Sequence, residues 1–165
     1  MKAPICEVCL ASKILCKSCK ERLNEGEISK SEVYISRLLH QISSEAKSLK
    51  GIHIKKIIDT PGLVLIISKK GDAARIVGKS GIIVKKLSKT LGKKIKVIEE
   101  SSDPKTFFQN LIFPVPLLGI NILYAERGEI LKIKVPRDRA LPISKSTFKE
   151  TTKLVLKKDI EIVEE

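Results

Sequence analysis

The segment "IKVIEE" at 95–100 returns as "IEIVEE" at 160–165. This return is the tightest constraint on what the chain can fold into, because the residues before each copy also match. In the first copy, Ile35, Leu38, Leu39, Ile42, Ala46 and Leu49 recur at helical spacing, and Ser29 with Glu32 makes a capping-box start. "IHIKKIID" and "LVLIIS" predict strands around a "TPG" turn. "GDAARIVGKSGIIVKKLSKTLG" predicts a short helix, a glycine loop and a longer helix that Gly92 stops. "KIKVIE" is the last strand, so the order is αββααβ.

The second copy repeats that order. "DPKTFFQNLI" predicts a helix, with Asp103 as N-cap and Pro104 at its first position. "LGINILYA" and "EILKIKV" predict strands around "ERG", "RDRALPI" a turn or short helix, "TFKETTKLVLK" a helix and "DIEIVEE" a strand. Gly62 and Gly128, Ile54 and Ile120, and Val77 and Ile143 all lie 66 apart. Past the glycine loop the offset is 65, and Ile83, Leu87 and Leu91 match Phe148, Thr152 and Leu156. Five residues, Gly-Lys-Ser-Gly-Ile, stand where the second copy has four, Ser-Lys-Ser-Thr. The second copy therefore keeps the fold position without either glycine. It is expected to fold alike and to lack the loop's function, which makes Gly78 and Gly81 dispensable for folding.

Charge is segregated in the same way. Residues 50–96 carry 13 basic and 2 acidic groups, whereas 1–49 carry 8 and 6, and 97–165 carry 11 and 11. A solvated lysine-rich surface would not concentrate the excess around one loop. A polyanion, most often nucleic acid, is the expected partner. The longest apolar stretch, "LIFPVPLLGINIL" at 111–123, holds two prolines and is too short to span a bilayer. The start, "MKAPICEVC", has no signal-peptide pattern. A soluble, cytoplasmic protein with no membrane partner is expected.

All four cysteines lie in the first 19 residues, as Cys6-Glu-Val-Cys9 and Cys16-Lys-Ser-Cys19. Two CxxC pairs this close can offer four thiolates to one tetrahedral ion. Disulfides would suit a secreted chain, a redox pair would sit beside a βαβ unit, and an iron–sulfur cluster is the other competitor. One structural Zn²⁺ on Cys6, Cys9, Cys16 and Cys19 is the expectation, closed and without a catalytic position. Such an ion either staples a segment with little core of its own or builds a docking knuckle. His40 and His53 have no motif around them, so a zinc hydrolase or nuclease finds no support and no enzymatic activity or small-molecule substrate is expected.

The "GKS" at 78–80 raises the question of a nucleotide cradle. A Walker loop needs glycine five residues earlier, where Ala73 stands, and a strand before it, where a short helix is predicted. An NTP site is excluded. The alternative is the K-homology (KH) arrangement, in which a GxxG loop between two helices clamps about four nucleotides of single-stranded RNA. Gly78, Lys79, Ser80 and Gly81 are the clamp. At about 100° per residue, Ile83, Val84, Leu87 and Leu91 share one face of the following helix, and Ile82, Lys85, Lys86 and Lys89 the other. With Arg75 these complete the candidate RNA-binding set. Ile82 either floors a base or packs near Ile76, and the sequence leaves both open. No aromatic residue occurs between 50 and 100, which argues against an aromatic stacking platform.

"GDAARIVGKSGIIVKKLSKTLGKKIKVIE" followed by "DPKTFFQNLIFPVPLLGINIL" resembles the archaeal NusA-like tandem KH proteins over roughly residues 30–165. The resemblance implies an α+β chain of two tandem type II KH domains behind a small zinc-binding module: a four-cysteine zinc knuckle at 1–28, KH domain 1 with an intact GxxG at 29–100, and KH domain 2 with a degenerate GxxG at 101–165. A four-cysteine knuckle also occurs in some archaeal members. The resemblance further implies a single-stranded-RNA-binding factor in transcription elongation or termination, with RNA polymerase as a candidate partner. The motif carries over at Gly78, Lys79, Ser80 and Gly81 and is missing at Ser144–Thr147. Type II KH units also serve ribosomal and RNA-processing proteins, so ribosome assembly or rRNA processing is the alternative.

Overall fold

The computed structural model describes all of residues 1–165. It is a mixed α+β chain with two three-stranded sheets and a cluster of four cysteines. The chain divides into two compact units, Met1–Asp59 with Val64–Glu100, and Thr60–Leu63 with Ser101–Glu165.

In the first unit two short helices, α1 (Glu7–Ala11) and α2 (Lys17–Asn24), precede α3 (Lys30–Ser43). Ser29 accepts from the Glu32 amide and the Glu32 carboxylate accepts from the Ser29 amide, so both halves of the capping box are made. Next come β1 (Ile54–Thr60), β2 (Leu63–Ser68), α4 (Ala73–Val77), α5 (Ile82–Leu91) and β3 (Lys94–Glu99), with sheet order β1-β2-β3. β2 is buried along its whole length, as its run of apolar residues requires of a central strand. Ile35, Leu39 and Ile42 of α3 meet Ile54, Ile57, Val64 and Ile66 of the sheet and Ile76, Ile83 and Leu87 of α4 and α5. Each such side chain contributes about 1.5–3 kcal/mol through burial.

The N-terminal segment is more tightly built in than its cysteine spacing suggests. Ile5, Cys9, Leu10, Cys19 and Ile28 form a core of their own that takes Val33 from α3. Lys2 pairs in parallel with His53; its amide donates to Ile52 O and its carbonyl accepts from Ile54, both at 2.8 Å.

The second unit contains α6 (Pro104–Ile112), β4 (Gly119–Ala125), β5 (Gly128–Val135), α7 (Lys145–Leu156) and β6 (Asp159–Glu164). β4 pairs antiparallel with β5, and β5 parallel with β6, the parallel neighbour being reached through α7. The stretch between β5 and α7 forms turns and no helix. Phe108 and Phe148 are fully buried, with ring centroids 5.8 Å apart in an edge-to-face arrangement. The matched helix positions behave alike in the two units. Ile83 and Phe148 are buried, as are Leu87 and Thr152.

A candidate nucleic-acid interface and a candidate metal centre

The glycine loop is built by backbone that few residues can adopt. Gly78 ends α4 at φ 79°, ψ 168°, a region essentially confined to glycine. Ser80 (φ 55°, ψ 24°) and Gly81 (φ 71°, ψ 20°) are both left-handed. Gly81 donates to Gly78 O at 3.0 Å, which closes the turn. A Cβ on Gly78 would lie 2.9 Å from Ile83 Cγ1 and 3.2 Å from Ile82 Cγ2. In this chain Gly78 is therefore fixed by the fold, which corrects the expectation drawn from the second copy.

α5 starts at Ile82 with no side-chain cap, so the positive end of its dipole is left for a ligand. Lys79, Ser80, Ile82, Lys85, Lys86, Lys89 and Arg75 are all exposed. Ile82 is 64% exposed while Ile76 is fully buried, so Ile82 faces solvent among the lysines. Lys79, Lys85 and Lys89 make no ion pair, whereas Lys86 meets Glu45 at 3.2 Å. Arg75 is turned back: it pairs with Asp72 at 3.3 Å and donates to the Lys50 carbonyl. Lys50 is exposed beside it and belongs to the same basic surface. No sequence signal pointed to Lys50, because it lies between predicted elements.

The matching loop of the second unit is closed on itself. Ser144 Oγ caps α7 by accepting from the Thr147 amide at 3.2 Å, and donates to Thr147 Oγ1 at 2.8 Å. Lys145, the counterpart of Lys79, is neutralised by Glu164 at 2.6 Å. That lysine holds the Glu164 carboxyl below its usual range, first by its hydrogen bond and then by its charge.

The four cysteines converge. All are free thiols, and their sulfurs lie within 4.8 Å of one another. Cys6 and Cys9 sulfurs are 3.3 Å apart, and those of Cys6 and Cys16 3.9 Å. A tetrahedral ion with bonds of about 2.3 Å needs sulfurs about 3.8 Å apart, so the residues present fit a metal. The Cys16 amide donates to Cys9 Sγ at 3.1 Å and the Cys19 amide to Cys16 Sγ at 3.4 Å. The latter bond leads in lowering the Cys16 thiol to about 7, while burial pushes Cys9 up to about 12 and raises Cys19. Ion binding must therefore displace protons from the buried pair.

No protein-family model matches the chain. It is 32% identical over 72 residues to the probable transcription termination protein NusA of Methanocaldococcus jannaschii, spanning 44% of this chain and 39% of that protein. It is 39% identical over 54 residues to the protein of the same description from Methanococcus vannielii, spanning 33% and 31%. The chain thus matches a third to two-fifths of the length of these curated relatives. The crystal structure of APE1850 is similar at a TM-score of 0.58 and 25% identity, covering 74% of this chain and 94% of that one. No helix here is long and apolar enough to cross a membrane.

Proposed function

We propose that this chain is a cytoplasmic, non-enzymatic single-stranded-RNA-binding protein of the NusA-like type, built of two type II KH units behind a zinc module. RNA runs over the first unit. Its backbone is clamped at Gly78–Gly81, with Lys79, Lys85 and Lys89 free to meet phosphates and Lys86 and Arg75 available on exchange of their present partners. Ile82 offers an apolar contact to a base at the rim of the loop. One Zn²⁺ held by Cys6, Cys9, Cys16 and Cys19 supplies structure and no chemistry.

The observation that carries this reading is the contrast between the two loops. One start of a helix is uncapped, glycine-lined and beside an unpaired lysine; its counterpart is capped by Ser144 and neutralised by Glu164. An ancestral clamp kept in one copy and lost in the other accounts for both. The partial similarity to archaeal NusA proteins supports a role in transcription, with RNA polymerase as partner.

The test is a pair of double variants in a single-stranded-RNA binding assay. Lys79→Asp with Ser80→Asp should weaken binding at least about tenfold while circular dichroism stays unchanged. Lys145→Asp with Ser146→Asp should leave binding nearly intact. Equal losses would reject the assignment of a single clamp. Co-purification with RNA polymerase supports the transcription role, and co-purification with ribosomal particles the rRNA alternative.

A further inference from the structure

Arg37 has an unusual environment. It sits on α3 one turn after Val33, and Val33 belongs to the small core around Cys9 and Cys19. Residues four apart share a helix face, so Arg37 is aimed at the cysteine segment. Its Nε donates to the Cys9 carbonyl at 3.0 Å. One of its terminal nitrogens, Nη2, is buried and has no hydrogen-bond partner, and Arg37 makes no ion pair with any carboxylate. Buried guanidinium groups are normally paired, because an unpaired charge away from water is costly.

The missing partner is supplied by the chemistry of the site. Four thiolates around a divalent cation carry a net charge of about −2. The Cys9 carbonyl that Arg37 holds belongs to one of those ligands, so the guanidinium lies close to its sulfur. We infer that Arg37 is the counter-charge of the four-cysteine metal centre: it stabilises the loaded tetrathiolate and couples metal occupancy to α3. This inference rests on the zinc reading above. It makes Arg37 a positioning residue, since it acts on the ion through Cys9 and does not ligate it. Without the ion, its buried nitrogen is an orphan; with the ion, it faces an anion.

The experiment uses the full chain and three forms: wild type, Arg37→Gln and Arg37→Lys. Co²⁺ loading gives a ligand-field spectrum that reports four-sulfur coordination, and a chromophoric chelator competing for Zn²⁺ gives the affinity. Wild type should show the tetrathiolate spectrum. Arg37→Gln, which keeps a donor but no charge, should bind Zn²⁺ about 10–100-fold more weakly. Arg37→Lys, which keeps the charge and changes the hydrogen bond, should recover most of the loss. If Gln retains wild-type affinity, or if Lys loses as much as Gln, charge compensation is overturned. If Gln does not fold, the Lys comparison with wild type decides alone. Absence of the tetrathiolate spectrum in wild type would instead overturn the metal centre itself.

Discussion

Replacing Gly78 by Ala is the most informative single change in the loop, because its cost follows from backbone geometry alone. At φ 79°, ψ 168° an alanine occupies a region costing about 1–3 kcal/mol. Its Cβ also meets Ile83 Cγ1 at 2.9 Å and Cδ1 at 3.0 Å, and Ile83 is itself buried in the core of the first unit. Overpacking of that kind costs about 1–3 kcal/mol more. The smaller conformational freedom of unfolded alanine offsets about 0.4–1 kcal/mol. The net loss should be about 3 kcal/mol. Gly81→Ala provides the control. It sits at φ 71°, ψ 20° with only Lys85 Cε near, at 3.9 Å, so it should cost about 1 kcal/mol. Native-state hydrogen exchange on the buried strand β2 reads both losses from the slowest amides. If Gly78→Ala costs no more than Gly81→Ala, the loop does not hold this conformation in solution and the reasoning fails. The comparison also decides how RNA-binding defects are read: a Gly78 variant confounds clamp with fold, and a Gly81 variant does so far less.

Three further outcomes can be measured. Chelation of the metal should increase exchange through residues 1–28 and at the Lys2–His53 pairing, with β2 still protected; rapid exchange of β2 as well would show that the module carries the whole first unit. Glu32→Ala should destabilise the first unit by about 2–4 kcal/mol in the same exchange experiment, because the buried carboxylate accepts from Ser29 N, Ile57 N and Lys56 Nζ at 2.8, 3.2 and 3.4 Å; a loss under about 1 kcal/mol would contradict that network. Asp103, held below its usual 3.8 first by the Thr106 hydroxyl and then by the Lys105 amide, stabilises α6 above that value and loses this contribution as pH falls through its lowered folded value. Wild type and Asp103→Asn should therefore differ most near neutrality and converge on acidification through that value in paired acid-unfolding curves; a constant difference would remove the carboxylate as its cause.

Much of the fold was legible because its signals are local. The capping box at Ser29 and Glu32, the left-handed stop at Gly92 and the Asp103-Pro104 start each depend on a few adjacent residues, and each forms as read. What escaped the sequence depends on distant groups. Nothing local says that Glu32 also accepts from Ile57 across the unit, or that Lys2 pairs with His53. Helices α1 and α2 are five and eight residues long, too short to show apolar periodicity. At the loop, the exposed lysines were visible from helical spacing, but the recruitment of Arg75 by Asp72 and Lys50 was not.

The two loops also show how far a repeat can be trusted. The second copy forms its sheet and its helix α7 with Ser-Lys-Ser-Thr at this point, yet it does so with a different backbone. Ser144 sits at φ −65° and caps the helix with its own hydroxyl, where Gly78 sits at φ 79° and caps nothing. The glycines are thus dispensable to a unit of this kind and required by this particular loop. That distinction strengthens the functional reading. A capped, one-residue-shorter loop made of ordinary residues was open to the first copy as well, since the second copy uses it. The first copy keeps instead an uncapped helix start, two residues in left-handed backbone and an unpaired Lys79. Each of these features is unfavourable for stability when the loop stands alone. Each becomes favourable when a phosphate sits at the start of α5, because the anion meets the dipole, the lysine and the exposed backbone together. The strain of this loop is therefore best understood as the cost of a binding surface, located where the chain's excess positive charge is concentrated.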